Sequence, residues 1–324
     1  MLIYKILFGF TLVALGVLGS VSTALAEYPE RPITLIVPWG AGGGTDATGR
    51  IIANLLQEEL GQPVNVINRT GGSGVVGHTA IAMADADGYT IGVATVEIGM
   101  MHWAGLTDLT HEAYEPIALY NSDPAGILVA ADSELTSVED LFAAVAANPG
   151  DLKGSGSGQG GIWHLALAGM LKAQGLNAGD VPWVPSKGSA AALQELVAGG
   201  VDVVTSSVVE ASGLMDAGRV KALAVMSNER IDAFADVPTL VESGGPDWGA
   251  AAWRGIVAPD GIPKDVEARL KEAMINVWNS DEFTEFMTGR GFGLTYLEGD
   301  EFGEWMASSD AAFGEVMTAV GLDN

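Results

Sequence analysis

The chain has 324 residues, 48% hydrophobic and 17% charged, which is enough apolar material for two cores of ordinary size and too much for a disordered polymer. Fifteen Lys and Arg stand against 41 Asp and Glu, a formal charge of −26. That balance argues against nucleic acid and anionic lipid as partners and reads as a solvated surface, with capture of a cationic ligand as its functional alternative.

No cysteine is present, so disulfides, thiolate nucleophiles, iron–sulfur clusters, Cys-based zinc sites and a lipid anchor on an N-terminal cysteine are excluded. Lys5 is the only charge in the first 26 residues. It is followed by an apolar run over 6–18 and by the small-residue stretch ending Ala24-Leu25-Ala26, the pattern of a Sec-type signal peptide cleaved after Ala26. The apolar run is short for a membrane span. Cleavage would leave an exported, periplasmic chain of charge −27.

Downstream, short β-type runs alternate with helical patterns. Strands are expected at 33–39, 64–68, 90–96, 116–121, 126–131, 181–184, 201–206, 220–226 and 253–258, most of them continuous apolar runs suited to strands covered on both faces. Helices are expected at 45–60, 161–174, 190–198, 209–217, 263–279 and 300–320. The first turns Ile51, Ile52, Leu55, Leu56 and Leu60 inward, and the last packs through Trp305, Phe313, Val316 and Met317. The alternation argues for α/β layers with mostly parallel sheets. The strand count, and a second Gly-rich strand-to-helix loop far down the chain, argue for two such layers joined by ordinary strands.

The loops carry the chemistry. Trp39-Gly40-Ala41-Gly42-Gly43-Gly44-Thr45-Asp46 joins a buried strand to an amphipathic helix. Its glycines allow close backbone approach, Thr45 or Asp46 is placed to N-cap the helix, and the first-turn N–H groups favour an anion. A tight turn without a ligand is the plainer alternative, although three successive glycines exceed what a turn needs. Ser155-Gly156-Ser157-Gly158-Gln159, followed by a helix with His164, makes a second cradle. The turn 68–74, with Ser73, and the segment Ser186-Lys187-Gly188-Ser189 are further candidates, as are Thr95, Glu97 and Ser206 near strand C-termini, where open α/β sheets place ligands.

Nucleotide sites fit poorly. The Lys-Ser/Thr pair of a P-loop is missing, and the G-x-G-x-x-A match at 42–47 lacks an acid at the end of the second strand, which closes Asn68-Arg69. His78, His102, His111 and His164 are scattered, without an HExxH or paired-carboxylate pattern, and no G-x-S-x-G elbow occurs. No catalytic set, cofactor or metal is therefore expected. The rival readings are an exported α/β hydrolase or dehydrogenase acting on a small acid and an adhesion or scaffold protein.

Taken in order, Tyr28-Pro29-Glu30-Arg31-Pro32-Ile33, Ile36-Val37-Pro38-Trp39, Gly42-Gly43-Gly44-Thr45-Asp46, Leu60-Gly61-Gln62-Pro63-Val64, Asp87-Gly88-Tyr89-Thr90, Gly154-Ser155-Gly156, Lys187-Gly188, Gly199-Gly200-Val201-Asp202, Asp236-Val237-Pro238-Thr239-Leu240 and Trp253-Arg254-Gly255 resemble the substrate-binding proteins of tripartite tricarboxylate transporters, the Bordetella uptake gene (Bug) family. The resemblance implies a type II periplasmic-binding-protein fold. Its first domain would be 27–124 plus 228–324 and its inserted second domain 125–227, with a cleft between them for a mono-, di- or tricarboxylate. It also implies delivery of that anion, by a monomer, to the transporter's membrane permease. The family's ligand loops map to 39–46, to the loop opened by Ser155 and to Ser186-Lys187-Gly188. Three stretches depart from the family pattern: Trp39-Gly40, Ser186 before Lys187-Gly188, and Gly99-Met100-Met101-His102-Trp103. Trp39, Met101, His102 and Trp103 either shape the pocket or pack. So acidic a chain would have to hold an anion with backbone donors at facing helix N-termini, not with surface charge.

Overall fold

A computed structural model describes residues 28–323; the expected export segment lies outside them. The chain enters through β1 (Ile33–Val37), almost wholly buried because both faces of its sheet are covered. Next, α1 (Gly44–Leu60) lays Ile51, Ile52, Leu55, Leu56 and Leu60 on one face of that sheet, as expected, and stops at Gly61 with φ 67, a left-handed position that glycine takes without a Cβ penalty. β2 (Val64–Asn68) and β3 (Thr90–Thr95) run parallel to β1 on either side, with α2 (Val75–Ala82) between them in sequence.

The 17-residue β4 (Tyr114–Ala130) then serves two sheets. α3 (Val138–Ala147), β5 (Gly154–Ser155), α4 (Ile162–Ala173), α5 (Ser189–Val197), β6 (Val203–Ser207), α6 (Val208–Asp216) and β7 (Val220–Val225) follow. The chain returns through β8 (Ala251–Pro259), α7 (Lys264–Trp278), α8 (Asp281–Arg290), β9 (Leu294–Glu298) and α9 (Gly299–Val320). Residues 114–124 of β4 pair with β8, and part of that stretch also pairs with β9. Residues 125–130 pair instead with β6 and β7.

Two registers place the site. β8 lies antiparallel to β3 with Arg254 opposite Thr95, so the start of β8 sits at the edge where β3 ends. Ala125 of β4 lies opposite Ser207, the last residue of β6, so β4 crosses between the sheets beside the C-terminal end of β6.

Several expectations are corrected. Among the described residues, three strand pairings are parallel (β1 with β2, β1 with β3, β5 with β6) and five antiparallel, so the sheets are mixed, not mostly parallel. The separate strands at 116–121 and 126–131 are one strand. Pro124 lacks an N–H but sits where β4 exchanges one set of partners for the other, so its missing donor interrupts little. Residues 181–184 form only an isolated bridge, Trp183 with Gly154, because Pro182 has no donor to extend a ladder. The strand β9 was not anticipated; none of its residues is fully buried, and its signal is correspondingly weak.

A Cβ at Gly77 in α2 would lie 2.5 Å from Pro38 Cα and 2.6 Å from the Arg69 carbonyl oxygen. The Gly77→Ala variant is therefore expected to lose about 1–3 kcal/mol in urea unfolding, because backbone on both sides must move. Gly213 is exposed in α6 with nothing near a built Cβ, so Gly213→Ala is expected to gain about 0.4–1 kcal/mol in the same assay.

Candidate functional site

Three helices open onto one cleft, each after a glycine: α1 after Gly43, α4 after Gly161 and α5 after Gly188. In none of the three does the N-cap residue itself, a glycine, supply a side-chain cap. By contrast α3 and α8, which do not line the cleft, are capped by Ser137 and Ser280, whose hydroxyls accept from the Asp140 and Phe283 N–H groups. The first-turn N–H groups at the cleft cannot bond within their own helices and so await partners from elsewhere.

Two partners come from the chain's own carboxylates. Glu210, on α6, accepts from the Gly44 N–H at 2.6 Å through Oε1, and from the hydroxyls of Ser206 (2.6 Å), Ser189 (2.8 Å) and Ser207 (3.1 Å) through Oε2. Glu97, just after β3, accepts from the Thr95 hydroxyl at 2.5 Å and from the Ile162 N–H of α4 at 3.3 Å. Each carboxylate thus caps a helix attached to the other sheet. Burial pushes the Glu97 carboxyl above its ordinary range, against the pull of these hydrogen bonds and of Arg254.

Arg254 is 2% exposed at the floor. Its Nε donates to Thr45 Oγ1 at 3.0 Å, its Nη1 to Asp123 at 2.6 Å and to Asn121, and its Nη2 lies 3.8 Å from Glu210. Burial opposes its charge, but Asp123 and Glu210 outweigh that and hold it cationic. Asp123 is fixed in turn by the Gly293 N–H at 2.8 Å. Removing one partner would leave a buried charge alone, at a cost of about 3–5 kcal/mol. The cavity measures about 30 Å³, room for about two waters.

Of the residues expected at the site, Trp39, Gly43, Gly44, Thr45, Thr95, Glu97, Ser157 and Gly188 line this cavity. Ser73, Gly158, Gln159, Ser186 and Lys187 line a second groove beside it, which Trp39 also touches. There the loops meet: the Gly40 N–H donates to the Lys187 carbonyl at 3.0 Å, and a Cβ at Gly158 would lie 2.5 Å from Ser73 Cα. The Lys187 side chain is exposed.

The remaining expected residues support the cavity without lining it. Ala41 and Gly42 are exposed. Asp46 does not N-cap α1, since Gly43 holds that position; instead it accepts from the Gly42 N–H, Arg50 and Asn68, bracing the loop. Ser155 donates to the Val184 carbonyl, Gly156 passes where a Cβ would sit 2.3 Å from the Thr205 carbonyl oxygen, and Ser206 serves Glu210. His164 accepts from the Gly160 N–H at 3.1 Å and stacks on Trp183. His102 and Trp103 turn away to Asp310 on α9, at 3.2 and 3.0 Å, and Met101 is buried in the core. Of the four departing residues only Trp39 lines the cleft.

With this geometry in view, comparison with known proteins is informative. A family model described as the tripartite tricarboxylate transporter family receptor, TctC, matches residues 48–322. The chain belongs to this family. It is similar to a UPF0065 protein encoded in the tcbD-tcbE intergenic region of Pseudomonas sp. strain P51, with 36% identity over 76% of this chain and 73% of the relative. Among solved structures it resembles the periplasmic binding protein BugD, with 28% identity, a TM-score of 0.85 and coverage of 91% of this chain and 99% of that one. It also resembles Rhodopseudomonas palustris Rpa4515 with adipate, at 27% identity, a TM-score of 0.85 and the same coverage. The fold is that of the periplasmic binding proteins, and the family is one of solute-binding receptors.

In this receptor the sequence pointed to the loops, Ser189 included, but not to Glu210, Arg254, Trp163 or Trp253, all of which line the cavity. Glu210 had a signal: Ser207-Val208-Val209-Glu210 fits the Ser-x-x-Glu pattern of a helix start. Arg254 had less, because the expectation that ligands lie beyond strand C-termini misses an antiparallel strand whose N-terminal end reaches the same edge.

Two predictions follow from the loop and its buried imidazoles. Burial opposes ionisation of Asp46, but hydrogen bonds from Arg50, Gly42 and Asn68 prevail and hold its carboxyl below the usual range. Asp46→Ala is expected to lower stability by about 1–3 kcal/mol in chemical unfolding. His78 donates from Nδ1 to the Gly74 carbonyl and accepts at Nε2 from the Thr95 N–H, a neutral tautomer; burial brings His78 and His164 down to about 4. The unfolded chain takes up these protons near pH 6.5, so the contribution of both imidazoles to stability falls as pH drops from there toward 4. In ¹⁵N NMR titration both rings should stay neutral until about pH 4, and a midpoint near 6.5 would contradict their burial.

Proposed function

We propose that this chain is a periplasmic receptor, exported by a signal peptide cleaved after Ala26, that captures an organic carboxylate in the cleft and hands it to the permease of a tripartite tricarboxylate transporter. It works as a monomer and without catalysis. Residues 27–124 plus 228–324 and residues 125–227 act as two lobes hinged where β4 and the segment before β8 cross between the sheets.

The observation that carries the reading is the convergence of three glycine-headed helix N-termini on one cavity. First-turn N–H groups there, such as those of Thr45 and Trp163, are built to receive carboxylate oxygens, each terminus worth roughly 0.3–1 kcal/mol when exposed and up to about 2 when partly buried. The structural relatives with adipate and malate support the ligand class. A cavity of about 30 Å³ is too small for such an acid, so the lobes open to admit it and close to exclude water, which strengthens every polar contact inside.

The test is a thermal-shift screen of C3–C8 mono-, di- and tricarboxylic acids, amino-substituted members included, followed by calorimetry on the hits. At least one acid is expected to raise the melting temperature. Silence across the acids, with a response to sugars or polyamines, would overturn the carboxylate class, and turnover of a hit would turn the reading toward an enzyme.

A further inference from the structure

The charges facing the cavity are unusual for a site that takes only anions. Arg254, Glu97 and Glu210 line it. The Arg254 guanidinium is committed to Asp123, and Glu210 already receives four donors. Glu97 is different. It is 4% exposed, accepts from the Thr95 hydroxyl, the Ile162 N–H and its own backbone N–H, and has no salt bridge among the described residues. A carboxylate offers about four acceptor sites, and a buried one without a cation is costly. Burial accordingly lifts its pKa.

The surroundings suit a positive charge. Trp39, Trp163 and Trp253 all line the cavity, and indole faces are the strongest aromatic attractors of an ammonium ion. Independently, the Ser157 hydroxyl and the Trp253 indole N–H are buried without a partner among the described residues; Ser157 is 3% exposed and Trp253 2%, and both residues line the cavity. Buried polar groups left without a partner are rare, and these two lie where a guest would supply one. Two of the converging helix N-termini, those of α1 and α4, already hold carboxylates of the chain itself. What Glu97 lacks among the described residues is a salt-bridge partner, since the Arg254 guanidinium is taken by Asp123 and Glu210.

We propose that the ligand is an organic acid that also carries an ammonium nitrogen, held by Glu97 among Trp39, Trp163 and Trp253, while its carboxylate takes first-turn N–H groups and the Ser157 hydroxyl. This rests on the carboxylate-receptor reading and narrows it. Protonated amines and trimethylated betaines share the required chemistry.

Isothermal titration calorimetry on the purified protein, with ligand pairs matched in skeleton, decides between the outcomes. The pairs are aspartate with succinate, glutamate with glutarate, 6-aminohexanoate with hexanoate, and glycine betaine with 3,3-dimethylbutanoate. In at least one pair the ammonium-bearing member is expected to bind at least about tenfold more tightly, and Glu97→Gln should erase that preference. Preference in the first three pairs assigns a protonated amine, and preference in the last a quaternary one. If the nitrogen-free member binds as well or better in every pair that binds, the ammonium site is refuted and the carboxylate receptor stands. Binding of a bare diamine such as putrescine, with none of the acids binding, refutes both readings. The wild-type comparison decides even if Glu97→Gln fails to fold; a folded Glu97→Gln that keeps the preference assigns Glu97 to capping α4 alone and overturns its role.

Discussion

Two carboxylates, each capping a helix tied to the opposite sheet, hold the cleft together. Glu210 reaches from α6 to the start of α1, and Glu97 reaches from the end of β3 to the start of α4. Helix N-termini without side-chain caps are sticky toward any anion, and a closed cleft leaves them no water to satisfy them. The chain supplies the anions itself, from residues positioned by β3 and β6. Arg254 sits between the two, and its pairing with Asp123 ties β8 to β4 at the point where β4 passes from one sheet to the other.

The local electrostatics follow from that arrangement. A protein of charge −26 offers an anion no long-range attraction, so the oriented backbone dipoles at the cleft are the donors such a guest would meet. The same cavity contains an acid that its own hydrogen bonds do not fully satisfy. Donors and an unpaired carboxylate in one small space favour a guest that brings both signs of charge. The glycines before the three helices make this possible. At Gly44 a Cβ would lie 2.8 Å from both the Arg254 guanidinium and the Glu210 carboxylate, so any larger residue would separate the two charges from the helix start.

Much of the scaffold was legible along the chain. The inward face of α1, the boundaries of α4 to α7 within a residue or two, and the positions of the Gly-rich loops follow from periodicity and turn chemistry, which are local properties. The mixed direction of the sheets was not legible. β8 and the second half of β4 read as apolar strands like the others, and nothing local in an apolar strand states whether its neighbour runs parallel or antiparallel.

The sequence by itself determined the family, the α/β alternation and the concentration of donors at glycine-headed helices. Only the tertiary structure decided which charges meet those donors. Gly44 and Glu210 are 166 residues apart, Thr45 and Arg254 209, and Glu97 and Ile162 65. Such pairs form because β4 crosses between two sheets and β8 returns antiparallel beside β3, bringing strand ends from distant parts of the chain to one edge. Side-chain patterning encodes which face of an element is buried, whereas the meeting of charges across a cleft is fixed by how whole sheets are joined.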